Sequence, residues 1–126
     1  MQKLWTVSVT ASFSAAHFLP NYHGKCENLH GHNWKVEVAL SSSKLENGMV
    51  VDFKLLKKWL KEILNSLDHT LINDLIENPT AENIADFISQ QLEIKLKESN
   101  LTHRVKLSFV KVWETEGSCC SLTFKA

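Results

Sequence analysis

The sequence predicts an α+β domain in which a four-stranded antiparallel sheet carries two helices on one face. Residues that alternate between apolar and polar lie near both ends of the chain, helical periodicity fills the middle, and the resulting order is ββααββ. Two strand pairs separated by helices favour an antiparallel sheet, because short loops can join the strands of each pair. The 126 residues suffice for one ordinary domain, so we expect a single domain over 1–126.

The first two strands are predicted from a period of two. Residues 4–17 and 30–40 both alternate, with an apolar parity and a polar parity. A strand with one buried face has this pattern. Residues 18–29 contain proline, asparagine and glycine and are typical of a loop, and a second polar loop follows over 41–48.

The two helices are predicted from apolar residues spaced three and four apart. These stripes span about 52–66 and 80–98. Asp52 and Thr80 are the expected N-caps, because their short side chains accept hydrogen bonds from the first helical turn. The connector over 67–79 has room for a short helical turn.

The last two strands are predicted at 104–114 and around 120–124. The parity of the first one changes: Leu107 and Phe109 share one face, whereas Val110 falls on the other. A β-bulge or burial of both faces explains this change, and the sequence alone leaves both open. Since a four-stranded sheet has two edges, we also expect edge pairing between subunits.

Composition excludes several classes of function. Fourteen Lys and Arg balance fourteen Asp and Glu, and no basic block occurs, so nucleic-acid binding is not expected. No apolar run approaches the roughly 20 residues that span a bilayer, and the first residues lack the apolar core of a secretory signal. An odd count of three cysteines favours a reducing, cytoplasmic location.

Four of the six histidines fall within sixteen residues. His30 and His32 are two apart on a predicted strand, so their side chains share a face with Cα atoms roughly 6–7 Å apart. His17 ends the preceding strand and comes beside them across the hairpin. Three imidazoles with one open position are typical of a catalytic zinc site, whereas Mg²⁺ and Ca²⁺ prefer oxygen. A closed structural site with Cys26 as fourth ligand also fits the spacing, and His23 is expected to be a loop residue outside the ligand set.

The run FSAAHFLPNYHGKCENLHGHNWKVEV, together with LDHTLIN, PTAENIA and VKVWET, resembles the 6-pyruvoyltetrahydropterin synthase family over essentially the whole chain. The C-x3-H-G-H spacing is most similar to the bacterial branch, the 6-carboxy-5,6,7,8-tetrahydropterin synthases. The resemblance implies a T-fold, in which three subunits close a twelve-stranded barrel. It also implies a homohexamer of two trimers, with sites shared between subunits.

The resemblance further implies a role for each matching residue. It assigns one zinc ion per subunit to the ligands His17, His30 and His32. It assigns catalytic proton transfer to Cys26, Asp68 and His69. It assigns binding of the pterin to Glu114, Thr80 and Glu82.

The implied enzyme is a zinc-dependent lyase that acts on 7,8-dihydroneopterin triphosphate. It releases triphosphate and acetaldehyde and leaves 6-carboxytetrahydropterin, a step toward queuosine and other deazapurines. Two alternatives stay open. One is a 6-pyruvoyltetrahydropterin synthase, which eliminates triphosphate and keeps the side chain. The other is a nonenzymatic module that binds zinc or a pterin.

Overall fold

The computed structural model describes residues 1–20 and 28–125. Its elements along the chain are β1 Trp5–His17, β2 His30–Ser42, α1 Phe53–Asn65, a short 3₁₀ helix Ile72–Asp74, α2 Ala81–Glu98, β3 Lys106–Thr115 and β4 Ser118–Thr123. The predicted ββααββ order is confirmed. The 3₁₀ helix lies in the connector where the sequence allows a helical turn.

The four strands form one antiparallel sheet in the order β1-β2-β3-β4. Both helices pack on the same face, α1 against β1 and α2 against β3 and β4. The apolar parity of β2 faces the helices, where Trp34 and Val36 are fully buried. Trp34 stacks on Phe13 across the strand pair, with ring centroids 5.9 Å apart. The core therefore fills the space between the sheet and the two helices.

One extra residue in β3 explains its change of parity. Phe109 pairs with Ala39, whereas Leu107 pairs with Leu40. Ser108 has no partner on β2, so it forms a β-bulge, and residues on either side of it exchange faces. The expectation that Phe109 shares the face of Leu107 is wrong, because the bulge turns Phe109 away from the helices. The valines that follow the bulge return to the core.

Both predicted N-caps are confirmed. The carboxylate of Asp52 accepts a hydrogen bond from the N–H of Lys54 at 2.8 Å, and α1 begins at the next residue. The hydroxyl of Thr80 accepts a hydrogen bond from the N–H of Asn83 at 3.1 Å and starts α2. Within residues 1–20 and 28–125, no helix has the length and apolarity to cross a bilayer.

The connector after α1 covers the end of the outer edge of β1. The N–H of Ser14 donates to the Asp68 carboxylate at 2.9 Å, and its carbonyl accepts from the N–H of His69 at 2.6 Å. The N–H of Ala16 donates to the carbonyl of Thr70 at 3.1 Å. In an antiparallel strand, alternate residues direct their backbone groups to opposite edges. The backbone N–H and C=O groups of the even-numbered residues of β1 therefore point away from β2.

Two stretches of backbone edge stay open in the described part of the chain. They are residues 5–12 of β1, which we call the free edge, and the outer side of β4. Open edges of this kind are places where a further strand can add to a sheet.

Candidate active site

Three histidines converge at the end of the helix-covered face. The register of β1 and β2 pairs His17 with His30 and places His32 opposite Ala15, so all three imidazoles share one face. Their ring centroids lie 4.6 to 5.4 Å apart. His17 is 1% exposed, and the other two are partly buried. The structure thus brings together the three predicted zinc ligands.

Glu114, near the end of β3, completes this group. Its Oε1 lies 3.5 Å from Nε2 of His17, 3.7 Å from Nε2 of His30 and 3.0 Å from Nε2 of His32. One ligand atom of each residue falls within 4.8 Å of all the others. Four ligands held tetrahedrally at zinc bond lengths are separated by roughly 3.3–3.6 Å. The measured separations are close to those of such a site.

Backbone carbonyls determine which ring nitrogen faces the group. Nδ1 of His17 lies 2.8 Å from the carbonyl oxygen of Pro79, and Nδ1 of His30 lies 2.8 Å from that of Asn28. A carbonyl only accepts, so each Nδ1 carries a proton, and the neutral form of each ring then presents a lone pair on Nε2. The two Nε2 atoms face each other at 3.1 Å. Two lone pairs at that distance repel unless a proton or cation lies between them, so the donor set fits a metal ion.

The environment of His32 also fits a metal ligand. Among the described residues its buried Nε2 has no hydrogen-bond partner of good geometry, although a Glu114 oxygen lies 3.0 Å away. Burial lowers the pKa of His32, the nearby Glu114 charge raises it, and His30 and His17 lower it further, for a net decrease. The lowered pKa keeps the imidazole neutral at neutral pH, which is the form that binds metals.

Asp68 and His69 pair with each other beside the outer edge of β1. Nδ1 of His69 is 3.0 Å from the Asp68 carboxylate, and the His69 side chain is 81% exposed. The hydrogen bond from the Ser14 N–H is the largest cause of the lowered pKa of Asp68. Burial opposes this effect, and His69 lowers the pKa further. His69 lines an open cavity of about 500 Å³ together with His32, Ser14 and Asn33. By strand alternation, the latter two side chains face away from the helices and from the histidine group.

Thr80 and Glu82 lie at the start of α2. The hydroxyl of Thr80 is the helix cap, and the preceding Pro79 supplies the carbonyl that contacts His17. Burial raises the pKa of the Cys120 thiol, and the charge of Glu82 raises it further, which places Glu82 near β4. Both residues therefore border the end of the sheet where the histidines converge.

Two residues that the sequence singled out lie outside the described part of the chain, and three features of the site were not predicted from the sequence. Cys26 and His23 lie outside the described residues. The sequence did not reveal the carbonyls of Pro79 and Asn28, because a backbone acceptor has no residue-type signature. It also did not group Glu114 with the histidines. Glu114 shares the parity of the core-facing valines of β3, but the change of parity within that strand left its face open at the level of sequence.

Comparisons with known proteins agree with this architecture. A sequence model described as 6-pyruvoyl tetrahydropterin synthase matches residues 6–124. A Synechocystis protein named 6-carboxy-5,6,7,8-tetrahydropterin synthase is 43% identical over 98 residues, which cover 71% of this chain and 76% of the relative. A Pyrococcus furiosus protein named dihydroneopterin monophosphate aldolase is 38% identical over 104 residues, covering 82% of this chain and 84% of the relative.

A solved structure gives the same result for the fold. The Caenorhabditis elegans 6-pyruvoyl tetrahydropterin synthase superposes with a TM-score of 0.79 at 27% identity, covering 98% of each chain. The match of sequence and fold extends over nearly all of the chain, and it includes the strands that carry the three histidines. This chain belongs to the 6-pyruvoyl tetrahydropterin synthase family.

Proposed function

We propose that this protein is a zinc-dependent 6-carboxy-5,6,7,8-tetrahydropterin synthase of the cytoplasm. It would convert 7,8-dihydroneopterin triphosphate and one water into 6-carboxytetrahydropterin, acetaldehyde and triphosphate, for queuosine or related deazapurines. The observation that carries the proposal is the group of three Nε2 atoms and one carboxylate oxygen within 4.8 Å. The name of the Synechocystis relative supports the choice of product.

His17, His30 and His32 would hold the zinc ion in this proposal. When bound, Zn²⁺ acidifies the hydroxyls of the substrate side chain and stabilises the negative charge that develops on them. The Pro79 and Asn28 carbonyls keep two of the rings in the tautomer that presents Nε2.

Glu114 would accept hydrogen bonds from the ring N–H and amino group of the pterin, a charge-assisted pair that a carboxylate suits. Its place beside the three Nε2 atoms also supports a role as fourth metal ligand when no substrate is present. Thr80 and Glu82 would line the pterin pocket from the start of α2.

Proton transfer would be shared between Cys26 and the Asp68–His69 pair. A nearby cation lowers the pKa of a thiol, which favours Cys26 as a base. The Asp68 carboxylate orients the His69 ring through Nδ1 and leaves Nε2 to exchange protons. Because this pair is exposed on the outer side of β1, we propose that it acts in the site of a neighbouring subunit. That arrangement requires an oligomer, which we expect to be a homohexamer.

Product identification tests the proposal. The zinc-loaded protein is incubated with 7,8-dihydroneopterin triphosphate, and the products are separated and weighed by mass spectrometry. We expect triphosphate, acetaldehyde and 6-carboxytetrahydropterin. Release of triphosphate with an intact three-carbon side chain would instead indicate a pyruvoyl-forming synthase. Binding without any turnover would indicate a nonenzymatic pterin-binding module.

A Cys26→Ala variant separates catalysis from a closed structural site. If Cys26 is catalytic, the variant keeps one zinc ion per chain and loses turnover. Loss of both the metal and the fold would show that Cys26 is a structural ligand and would contradict its catalytic role.

An aldolase is the second candidate function, and the Pyrococcus relative is the observation that favours it. Cleavage of the first carbon–carbon bond of the side chain of dihydroneopterin monophosphate would give a 6-hydroxymethyl pterin and glycolaldehyde phosphate. The same group of metal-binding side chains can stabilise the negative charge of that reaction. Parallel assays with the two substrates distinguish these activities. The synthase would act on the triphosphate and release acetaldehyde, whereas the aldolase would act on the monophosphate and release glycolaldehyde phosphate.

A further inference from the structure

Asn73 has no part in the proposed chemistry, yet it forms two hydrogen bonds beside a candidate metal ligand. Its side-chain oxygen accepts from the N–H of Phe18 at 3.0 Å, and its side-chain nitrogen donates to the carbonyl of Phe18 at 2.9 Å. Only one orientation of the amide satisfies both bonds. Phe18 directly follows His17, so Asn73 fixes both backbone groups of the residue next to this histidine.

The path of the connector explains why a side chain makes these bonds. The outward backbone groups of Ser14 and Ala16 bond to Asp68, His69 and Thr70 as the connector runs beside β1. At Ile72 the connector turns into the 3₁₀ helix and its backbone leaves the strand. The outward groups of Phe18 then need another partner, and the amide of Asn73, inside that helix, replaces the missing strand.

The same connector also determines the orientation of the His17 ring. The ring is 1% exposed, and its Nδ1 contacts the Pro79 carbonyl at 2.8 Å. His17 is therefore held at its ring by Pro79 and at its following peptide by Asn73. Without the amide, the N–H and carbonyl of Phe18 lose their partners, and the end of β1 is free to rotate about the His17 backbone.

We infer that Asn73 is a positioning residue of the metal centre, which acts by fixing the backbone that carries His17. This inference rests on the proposed metal site. Removal of a group that orients a metal ligand typically weakens metal affinity 10- to 100-fold. Because Asn73 acts through the backbone, we expect a change of about tenfold, at the lower end of that range.

The experiment compares metal binding by the full-length protein and three variants. Asn73→Ala removes both hydrogen bonds. Asn73→Asp keeps the shape and the acceptor but places an oxygen against the Phe18 carbonyl. Asn65→Ala makes the same change at the exposed end of α1 and is the matched control. The readouts are the Kd for Zn²⁺ by competition with a chelating dye and the visible spectrum of the Co²⁺-loaded protein, which reports ligand geometry.

We expect both Asn73 variants to raise the Kd about tenfold and to shift the Co²⁺ bands, with Asn65→Ala like the unaltered protein. A lower melting temperature with unchanged Kd and spectrum would overturn the inference, because it would show a purely structural role. Circular dichroism identifies a variant that does not fold, in which case the isosteric Asn73→Asp decides. If the unaltered protein binds neither metal stoichiometrically, the proposed function fails first and the inference fails with it.

Discussion

At the scale of single residues, His17 is where a strand, a connector and a helix meet. Its backbone ends β1, its Nδ1 contacts the residue before the α2 cap, and its Nε2 faces His30 and Glu114. Since the ring is almost fully buried, it has little freedom to adjust if any of these contacts changes. We therefore expect metal binding to depend strongly on His17.

A His17→Ala variant tests this dependence. Loss of a ligand should weaken zinc binding by roughly 100-fold or more, beyond the effect of losing only an orienting group. The metal content of the dialysed protein, measured by mass spectrometry, should fall well below one ion per chain. His103→Ala, a change at an exposed histidine, should bind zinc normally. Full zinc content in His17→Ala would contradict the assignment of this ligand.

Asp68 gives a prediction about pH. Its pKa is lowered in the folded protein by the Ser14 N–H and by His69. A lowered folded-state pKa adds stability above the unfolded-state pKa of about 3.9, and that stability is lost as the pH falls through the lower folded value. An Asp68→Asn variant should therefore be less stable than the unaltered protein at pH 6 and show a weaker loss between pH 4 and pH 2. Urea midpoints measured across this range check the prediction, and parallel curves would contradict it.

Strand parity was sufficient to predict the histidine group, but the position of Glu114 could not be predicted in the same way. His17, His30 and His32 lie in strands with uninterrupted alternation, so sequence spacing gives their common face. Glu114 follows the bulge at Ser108, and the sequence allowed either a bulge or burial of both faces. Without a choice between these, the face of Glu114 stayed undetermined. Bulges depend on pairing with a neighbouring strand, which is a property of tertiary structure.

At the scale of elements, the start of α2 connects helix stability to the site. Thr80 caps the helix, and the adjacent Pro79 carbonyl contacts His17. The local sequence predicted this cap and that of α1, because cap residues act within one turn. It did not predict that the connector would bond along β1, since such contacts join residues more than fifty positions apart.

A Thr80→Ala variant should lower the free energy of unfolding by about 1 kcal/mol, the usual cost of losing an N-cap side chain. Thr80→Ser retains an oxygen that can accept from Asn83 and should restore most of that stability. Chemical denaturation measures both values. If Thr80 also lines the pterin pocket, KM should rise in Thr80→Ala beyond its level in the serine variant. Equal stability of all three proteins would contradict the capping role.

At the scale of the whole molecule, the Asp68–His69 pair lies beside an edge of the sheet where a second subunit can add. The histidine group lies on the helix-covered face, whereas the Asp68–His69 pair is exposed beyond the outer edge of β1. Beside that pair, β1 leaves the free edge over residues 5–12, and β4 leaves its own outer side open. An added strand at the free edge would bring a second subunit close to Asp68 and His69. Sequence alone suggested edge pairing, but the position of the pair relative to the edge required the fold.

Proline substitutions on β1 test this assembly, because the two edges of the strand use alternate residues. The backbone N–H of Thr10 has the same parity as those of Ser14 and Ala16, so it faces the free edge. Thr10→Pro removes a donor from that edge and leaves the bonds to β2 intact. We expect a smaller oligomer by light scattering and reduced turnover, with zinc still bound. Thr10→Ala, which keeps the N–H, should assemble normally.

Ala11→Pro is the opposite control, since the N–H of Ala11 faces β2. That change removes a bond within the sheet and should destabilise the fold itself, lowering the denaturation midpoint before any effect on assembly is visible. The proposed assembly thus requires that Thr10→Pro reduces oligomer size and that Ala11→Pro reduces stability. Unchanged oligomer size in Thr10→Pro would show that the free edge is not the subunit contact. A monomeric unaltered protein with full turnover would show that the site is complete in one chain.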